Sequence, residues 1–287
     1  MTWSRLGLIA GGGALPVHVA EAARREGRLG CVIALKGFAD PARYDGPEEV
    51  ALGRIGEMFA ALKAANCDAV CFAGIVPRPD FSTLKLDMKA MAVLPRVLAA
   101  AARGDDALLR TVIALFEAEG LTVVGADEIA GSLVLGEGLI TARGPDDGER
   151  ADALKALHVA AVIGAEDIGQ GAVVCDGLVL AVEAQEGTDA MLERVAGLPA
   201  GARGGESDGR GGVLAKRPKP GQERRIDLPV LGVSTVEGAA RAGLGGIAVQ
   251  AGGALVLGRE AVARAADARG LFIWGVGEAQ LEAGHGR

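Results

Sequence analysis

A chain of 287 residues, half apolar but only 3% aromatic, with a formal net charge of −7, can bury one large core or two ordinary ones built from small aliphatic side chains. The acidic balance argues against a general nucleic-acid binder, and no run of about 20 apolar residues is present to span a bilayer. MTWSRLGLIAGGG lacks a secretory signal, and Cys31, Cys67, Cys71 and Cys175 form no C-x-x-C pair, so they read as reduced residues of a cytoplasmic protein. His18, His158 and His285 share no ligand spacing. Any metal would therefore take oxygen ligands, which favours Mg²⁺.

In chain order, LGLIAGGGALPVHVAEAARREG predicts a strand over 6–10, a glycine turn and a helix ending near Gly27; CVIALKG predicts a second strand. GEMFAALKAANCDAVCFAG repeats the scheme, with Met58, Phe59 and Leu62 at helical spacing before a strand over 69–73. Acids at 105 and 106, apolar Leu108, Leu109, Val112, Ile113 and Phe116, and then Gly120 predict a helix to Glu119; LTVVGADEI predicts another strand. This alternation implies an α/β fold whose N-terminal domain, over 1–134, is Rossmann-like with a parallel sheet.

The stretch GEGLITARGPDDGER predicts a linker over 135–150, followed by a mixed α/β C-terminal domain over 151–287. AVVCDGLVLAVEA predicts a hairpin turning at Asp176-Gly177, GTDAMLERVAGL a short helix, and AGARGGESDGRGG a flexible loop. A strand then enters LAKRPKPGQERRIDLP, a helix opens at Ser234 or Thr235, and strands IAVQ and ALVLG flank a glycine turn. A helix over 259–269 and the strand LFIWGV complete the domain; the tail after Gly277 reads as disordered.

Several stretches carry chemistry. Gly11, Gly12 and Gly13 sit between strand and helix, where backbone N–H groups can approach a phosphate or ribose. Pro16 stands where a dinucleotide fingerprint needs its third glycine, and Lys36 replaces the ribose-binding acid. A tight packing turn explains the same glycines. In EAQEGTDAMLERV, Gly187 or Thr188 caps a helix with Asp189 in its first turn. That placement is favourable structurally, and it also offers the Thr188 hydroxyl to a phosphate and Asp189 to a metal. The basic stretch sets Lys216, Arg217, Lys219, Arg224 and Arg225 around Glu223 and Asp227. Clustered cations are usually a solvated face, but Pro218, Pro220 and Pro229 stiffen this one. Asp227 amid cations suits a metal ligand or a base acting on metal-bound water, with Lys216 and Lys219 receiving a polyanion. Arg78 leaves the end of a parallel strand, and Gln170 lies near the turn residue Asp167; both are candidates for ligand contact.

Together GLIAGGGALP, LKGFAD, LGRIGEM, AGIVPRP, GDDALLR, EDIGQGAVV, LAVEAQEGTDAML, KPGQERRIDLP and GLGGIAV resemble the LpxI-type UDP-2,3-diacylglucosamine pyrophosphatases of lipid A biosynthesis, from Leu6 to Val276. The resemblance implies a cytoplasmic hydrolase, transiently associated with the inner membrane's cytoplasmic face. It would use Mg²⁺ to cleave UDP-2,3-diacylglucosamine to UMP and 2,3-diacylglucosamine 1-phosphate (lipid X), with water attacking the sugar-side phosphorus and the lipid held between the domains. The motif acid falls on Asp227, EGTD on Glu186 to Asp189, and the glutamine of K-P-G-Q on Gln222, which joins the substrate-binding set. The family commonly has Asp where this chain has Glu223, a change that keeps the charge; Asp227, Asp189 and Glu223 are the expected metal ligands. A homodimer is compatible with this reading, and nucleic acid is not a partner. The alternatives are a nucleotide-dependent oxidoreductase and a non-catalytic nucleotide-sugar or lipid carrier.

Overall fold

The computed structural model describes residues 2–77, 79–199, 201, 211–221, 223–226 and 228–284. The chain divides into two compact units, one of Met1–Gly131 with Glu223–Asp227, the other of Ser132–Gln222 with Leu228–Arg287.

In the first unit the chain forms β1 (Leu6–Ala10), α1 (Leu15–Arg25), β2 (Leu29–Leu35), β3 (Glu48–Val50), α2 (Ile55–Ala64), β4 (Ala69–Ala73), α3 (Met88–Ala101), α4 (Asp105–Glu117), β5 (Thr122–Val123) and α5 (Ala126–Ile129). The strands make a parallel sheet in the order β3-β2-β1-β4-β5. Strand order reverses between β1 and β4, the switch point beyond whose carboxyl ends such sheets bind ligands. Every residue of β1 is buried, as a strand covered on both faces requires. Helices α2 and α4 bring Met58, Leu62, Ile113 and Phe116 onto Ile9, Ile33, Val70 and Val123; Leu6 and Leu8 alternate to the opposite face. Phe116 meets Phe59 and Phe72 at centroid distances of 4.7 and 4.9 Å. The strand expected over LTVVGADEI stops at Val123, because extended Gly125 turns the chain into α5.

The second unit forms β6 (Gly138–Leu139), α6 (Asp147–Ala165), β7 (Gly171–Cys175), β8 (Leu178–Val182), α7 (Gly187–Ala196), β9 (Val213–Lys216), β10 (Val230–Leu231), α8 (Val233–Arg241), β11 (Gly246–Gln250), β12 (Leu255–Val256), α9 (Arg259–Asp267), β13 (Phe272–Val276) and α10 (Glu278–Gly284). Its main sheet runs β6-β13-β11-β9-β7-β8, parallel across β9, β11 and β13 and antiparallel at β6, β7 and β8; β10 and β12 pair separately. Leu214 joins a core with Met191, Leu192, Val236 and Val262 from α7, α8 and α9. Its neighbours Val213 and Ala215 point the other way, into a core with Ala153, Ala156 and Leu157 of α6. No helix among the described residues is long and apolar enough to cross a membrane.

The stretch expected as a linker is built into this unit. Leu135 is fully buried in its core, β6 pairs with β13, and Asp146 and Glu149 cap the start of α6 reciprocally. Residues 278–284 of the tail expected to be disordered instead form α10, whose Leu281 is buried against the α6 side of the sheet; the rest lies outside the described residues. Most of the expected loop AGARGGESDGRGG lies outside the described residues.

The hairpin turns at Asp176 (φ 49°) and Gly177 (φ 74°), as the two-residue turn demands. Buried Asp152 of α6 accepts both turn amides, from Asp176 N at 2.9 Å and Gly177 N at 2.8 Å. Asp152, Cys175 and Asp176 cluster closely enough to suggest a metal, but the oxygens of Asp152 already serve the turn. Asp152→Ala, which strands both amides, is expected to lower the unfolding free energy by about 2 kcal/mol or more; an unchanged urea midpoint would remove this role.

Candidate active site

In the second unit a row of residues crosses β8, β7 and β9. Gly171 opens β7 and pairs with Lys216 at the end of β9. Glu183, just after β8, donates its N–H to the Gly171 carbonyl at 2.8 Å. Both charged residues are buried, Glu183 at 6% and Lys216 at 5% exposure. A Cβ on Gly171 would stand 2.5 Å from Glu183 Oε2, so the carboxylate lies over the bare Cα, on the face Lys216 shares by register. Lys216 Nζ approaches the Val230 carbonyl at 3.4 Å.

Around this row polar atoms are buried without partners. Glu183 Oε1 accepts from the Thr188 hydroxyl at 2.8 Å, but Oε2 has no hydrogen bond, nor do Gln170 Oε1 and Arg217 Nη1. Arg217 is otherwise well held: its N–H donates to the Gln170 carbonyl at 2.9 Å and its Nε to Gln250 Oε1 at 3.0 Å. Burial pulls its pKa below the usual arginine value, against the field of Glu278. A buried polar atom left unmatched costs about 1–3 kcal/mol. Glu183 Oε2 stands on the face of Lys216, whereas Gln170 and Arg217, one residue along the β7–β9 ladder, take the opposite face with Gln250, so each face keeps buried polar atoms that a ligand, ion or water would complete.

Lys216 and Lys219 of the basic stretch are packed rather than solvated, while Arg224 is exposed. Lys219 Nζ pairs with Asp167 at 2.6 Å, Gly164 at the end of α6 leaves room for Lys219 and Pro220, and Gly253 does the same for Pro218. Helix α7 starts at Gly187 (φ 79°), with Asp189 exposed in its first turn. The Thr188 hydroxyl, expected to face a phosphate, is instead given to Glu183.

In the first unit the glycine turn is zipped to the loop after β4. Gly11 N donates to Ala73 O at 2.8 Å, Gly12 N to Ile75 O at 2.9 Å, and Ile75 N returns a bond to Gly12 O at 2.9 Å. Gly74 (φ 95°) comes so close that a Cβ there would meet Gly12 O at 2.5 Å and Pro16 Cγ at 2.6 Å. Two of the three turn amides, those of Gly11 and Gly12, are thus engaged by protein carbonyls; Gly13 (φ 89°) leads into α1 and its carbonyl accepts from Arg43 at 3.2 Å. The same unit holds residues 223–226. Both oxygens of Glu223 receive Arg225, through Nε and Nη2 at 2.8 Å each, and Glu223 N donates to Asp106 of α4 at 3.1 Å. Arg225 Nη1 reaches Glu117 at 2.8 Å. Glu223, expected as a metal ligand, already spends both oxygens on Arg225. Arg78, Gln222 and Asp227 lie outside the described residues.

Glu183, Arg217 and Gln250 thus join Lys216 and Gln170 without having been singled out for a site. A signal for Glu183 existed: it continues the alternation of β8 past buried Ala181, which points an acid at the core.

These features define a two-unit α/β protein with a switch-point sheet in one unit and, in the other, a row of buried charged residues in which one Glu183 oxygen is unmatched. The chain belongs to the LpxI family: the LpxI N-terminal domain matches residues 5–133 and the LpxI C-terminal domain residues 136–274. It is 56% identical over 274 residues to the UDP-2,3-diacylglucosamine pyrophosphatase LpxI of Caulobacter vibrioides, covering 95% of this chain and 97% of that protein.

The Glu223–Arg225 pair yields a pH prediction. Arg225 holds the Glu223 carboxyl below the usual glutamate value, so its stabilising effect is complete above the unfolded-state pKa and disappears as pH falls through the folded one. Hydrogen-exchange protection of residues 223–226 should therefore decline as pH drops below the ordinary carboxylate range, and Arg225→Met should show that lower protection already at neutral pH. Equal protection in both proteins across that range would exclude the pair as the anchor.

Proposed function

We propose that this protein hydrolyses the diphosphate of UDP-2,3-diacylglucosamine, releasing UMP and 2,3-diacylglucosamine 1-phosphate in lipid A synthesis. The substrate comes from the name of the Caulobacter relative. Within the chain, the observation that carries the reading is the buried row of Glu183, Gly171 and Lys216 with its unmatched neighbours. Cleaving a phosphoric anhydride requires neutralising both phosphoryl groups and aligning one water. Lys216 supplies positive charge on the Glu183 face, where exclusion of solvent strengthens it. Lys219 adds a second cation, oriented by Asp167. Gln170 Oε1 is an open acceptor, suited to an O–H of water or sugar rather than to a phosphate oxygen. Asp227, by its place in the motif, readies the attacking water at the sugar-side phosphorus.

Magnesium belongs to the proposal. Mg²⁺ needs only one or two carboxylates beside phosphate oxygens and water. Glu183 Oε2, buried and without a partner, fits that need better than Glu223, whose oxygens are taken by Arg225, or exposed Asp189. Glu183 would hold the ion, which supplies charge neutralisation on the phosphate oxygens; Asp227 is the ligand that the motif implies. Binding of the substrate between the two domains, and transient contact with the cytoplasmic face of the inner membrane that holds so apolar a lipid, complete the reading.

Purified protein should release UMP from the diacylated substrate in a Mg²⁺-dependent way, and Asp227→Ala should abolish this with the fold intact. Lipid binding without UMP release would favour a carrier. Glu183→Gln should lower kcat by roughly 10²-fold with its circular dichroism unchanged; a near-normal rate would take Glu183 out of the site. In ¹⁸O water the label should enter the sugar phosphate, and label in UMP would reverse the site of attack.

A further inference from the structure

The chain carries four thiols, and two of them meet. Cys31 in β2 and Cys67, two residues before β4, have their Sγ atoms 3.8 Å apart although 36 positions separate them in the chain. Both are half-buried, whereas Cys71 and Cys175 are buried. Strand β1 lies between β2 and β4, so the sulfurs meet across it. Glycines make that crossing possible. Gly7 of β1 pairs with Cys31, and the register of β1 with β2 shifts beside it because Gly30 is an extra residue in β2. A Cβ on Gly30 would stand 2.6 Å from Cys67 Sγ, and one on Gly7 would stand 3.4 Å from it. Any larger residue at position 30 would displace the sulfur.

The backbone on both sides of Cys67 is held. Its N–H donates to Leu62 O of α2 at 2.9 Å, after a turn at Asn66 (φ 52°). The Asp68 carboxylate accepts from Ser4 N at 2.8 Å and from Arg5 N at 2.6 Å. The Arg5 side chain crosses the same bare Cα, its Nε lying 3.1 Å from where a Gly30 Cβ would be. The two thiols are therefore unequal. The hydrogen bond from Cys31 holds the Cys67 thiol below its usual pKa against the effect of burial, and the charge of Arg5 adds to this. Cys31, which donates that bond and is partly buried, is held above the usual value.

We propose that Cys31 and Cys67 are a reversible oxidation site, which hydrogen peroxide converts to a disulfide that braces the sheet of the first unit. The Cys67 thiolate attacks one peroxide oxygen, the O–O bond breaks and hydroxide leaves, taking up the proton that Cys67 gave to solvent; Cys67 is now a sulfenic acid. The Cys31 sulfur then bonds to the Cys67 sulfur, the S–OH bond breaks, and the departing hydroxide takes the Cys31 proton as water. Two thiols have lost two electrons and two protons, and one peroxide has become two waters. The sulfurs must approach by about 1.8 Å to reach bonding distance. Cys67 stands outside β4, so its turn can yield that distance without breaking a strand pair. The bridge ties β2 to the turn between α2 and β4, near the amino ends of the strands and remote from the carboxyl ends where such sheets bind ligands. Inside cells, thiol pairs of this kind cycle rather than stay oxidised.

The test treats reduced, full-length protein with hydrogen peroxide. Thiols counted in denaturant should fall from four to two, digestion without reductant should yield one linked pair of peptides containing Cys31 and Cys67, and dithiothreitol should restore all four. Cys31→Ser should stop at a sulfenic acid on Cys67, trapped by dimedone, and Cys67→Ser should react with peroxide at least tenfold more slowly. The oxidised wild type should unfold thermally about 5 °C or more above the reduced protein. Four thiols surviving the treatment would overturn the proposal, as would a bridge that joins two molecules or uses Cys71 or Cys175. So would a Cys31–Cys67 bridge that leaves the unfolding midpoint where it was. The wild-type measurements decide the matter even where a serine variant fails to fold.

Discussion

Glu183 and Lys216 are buried at one end of the same sheet, and the candidate site depends on keeping them there. The space a side chain at position 171 would fill is occupied by the carboxylate of Glu183. Glycine is thus required by close approach rather than by its φ angle. Buried charges are costly to desolvate, and a carboxylate with an unsatisfied oxygen is a poor source of stability. Such an arrangement persists when surrounding structure holds it in place. Here the holders are the Gly171–Glu183 backbone bond, the Thr188 hydroxyl and the pairing of β7 with β9.

Neighbouring features support the row at a distance. Asp152 reaches from α6 to close the β7–β8 hairpin, which fixes the register of the two strands that carry Gly171 and lead into Glu183. A register slip by one residue would turn every side chain of β8 to the other face. Gly164 and Asp167, at and just beyond the end of α6, receive Lys219 and Pro220, so one helix braces both the hairpin and the basic stretch. In the first unit the Gly12–Ile75 bridge plays a comparable part, locking together the loops that leave β1 and β4.

Much of this architecture was legible in the residues. The glycine turn after β1, the apolar runs of β2 and β4, the Asp-Gly hairpin and the short helix α7 all follow from local periodicity and turn chemistry. Two helices were not legible, for different reasons. In α6 alanines occupy both the buried positions and several exposed ones, so apolar contrast is lost. In α3 alanines lie both inside and outside, Val93, Leu94 and Val97 are only half-buried while Met88, Met91 and Leu98 are exposed, and Pro95 interrupts the pattern. The linker expected from Gly, Pro and Asp content hides Leu135, whose burial depends on strands far along the chain.

What the sequence determined by itself is the alternation of elements, the places where the chain turns, and the stretches where charge collects, because each depends on a few adjacent residues. Lys216 and Gln170 were visible in that way. Only the tertiary structure decided that Glu183 shares the row of Lys216, that Arg217 is packed against Gln250, and that the carboxylate of Glu223 belongs to Arg225. Side-chain period tells which residues of one strand share a face. Which strands lie side by side is settled by long-range pairing and by the cores they bury, and a charged group acquires its neighbours, and so its chemistry, only then.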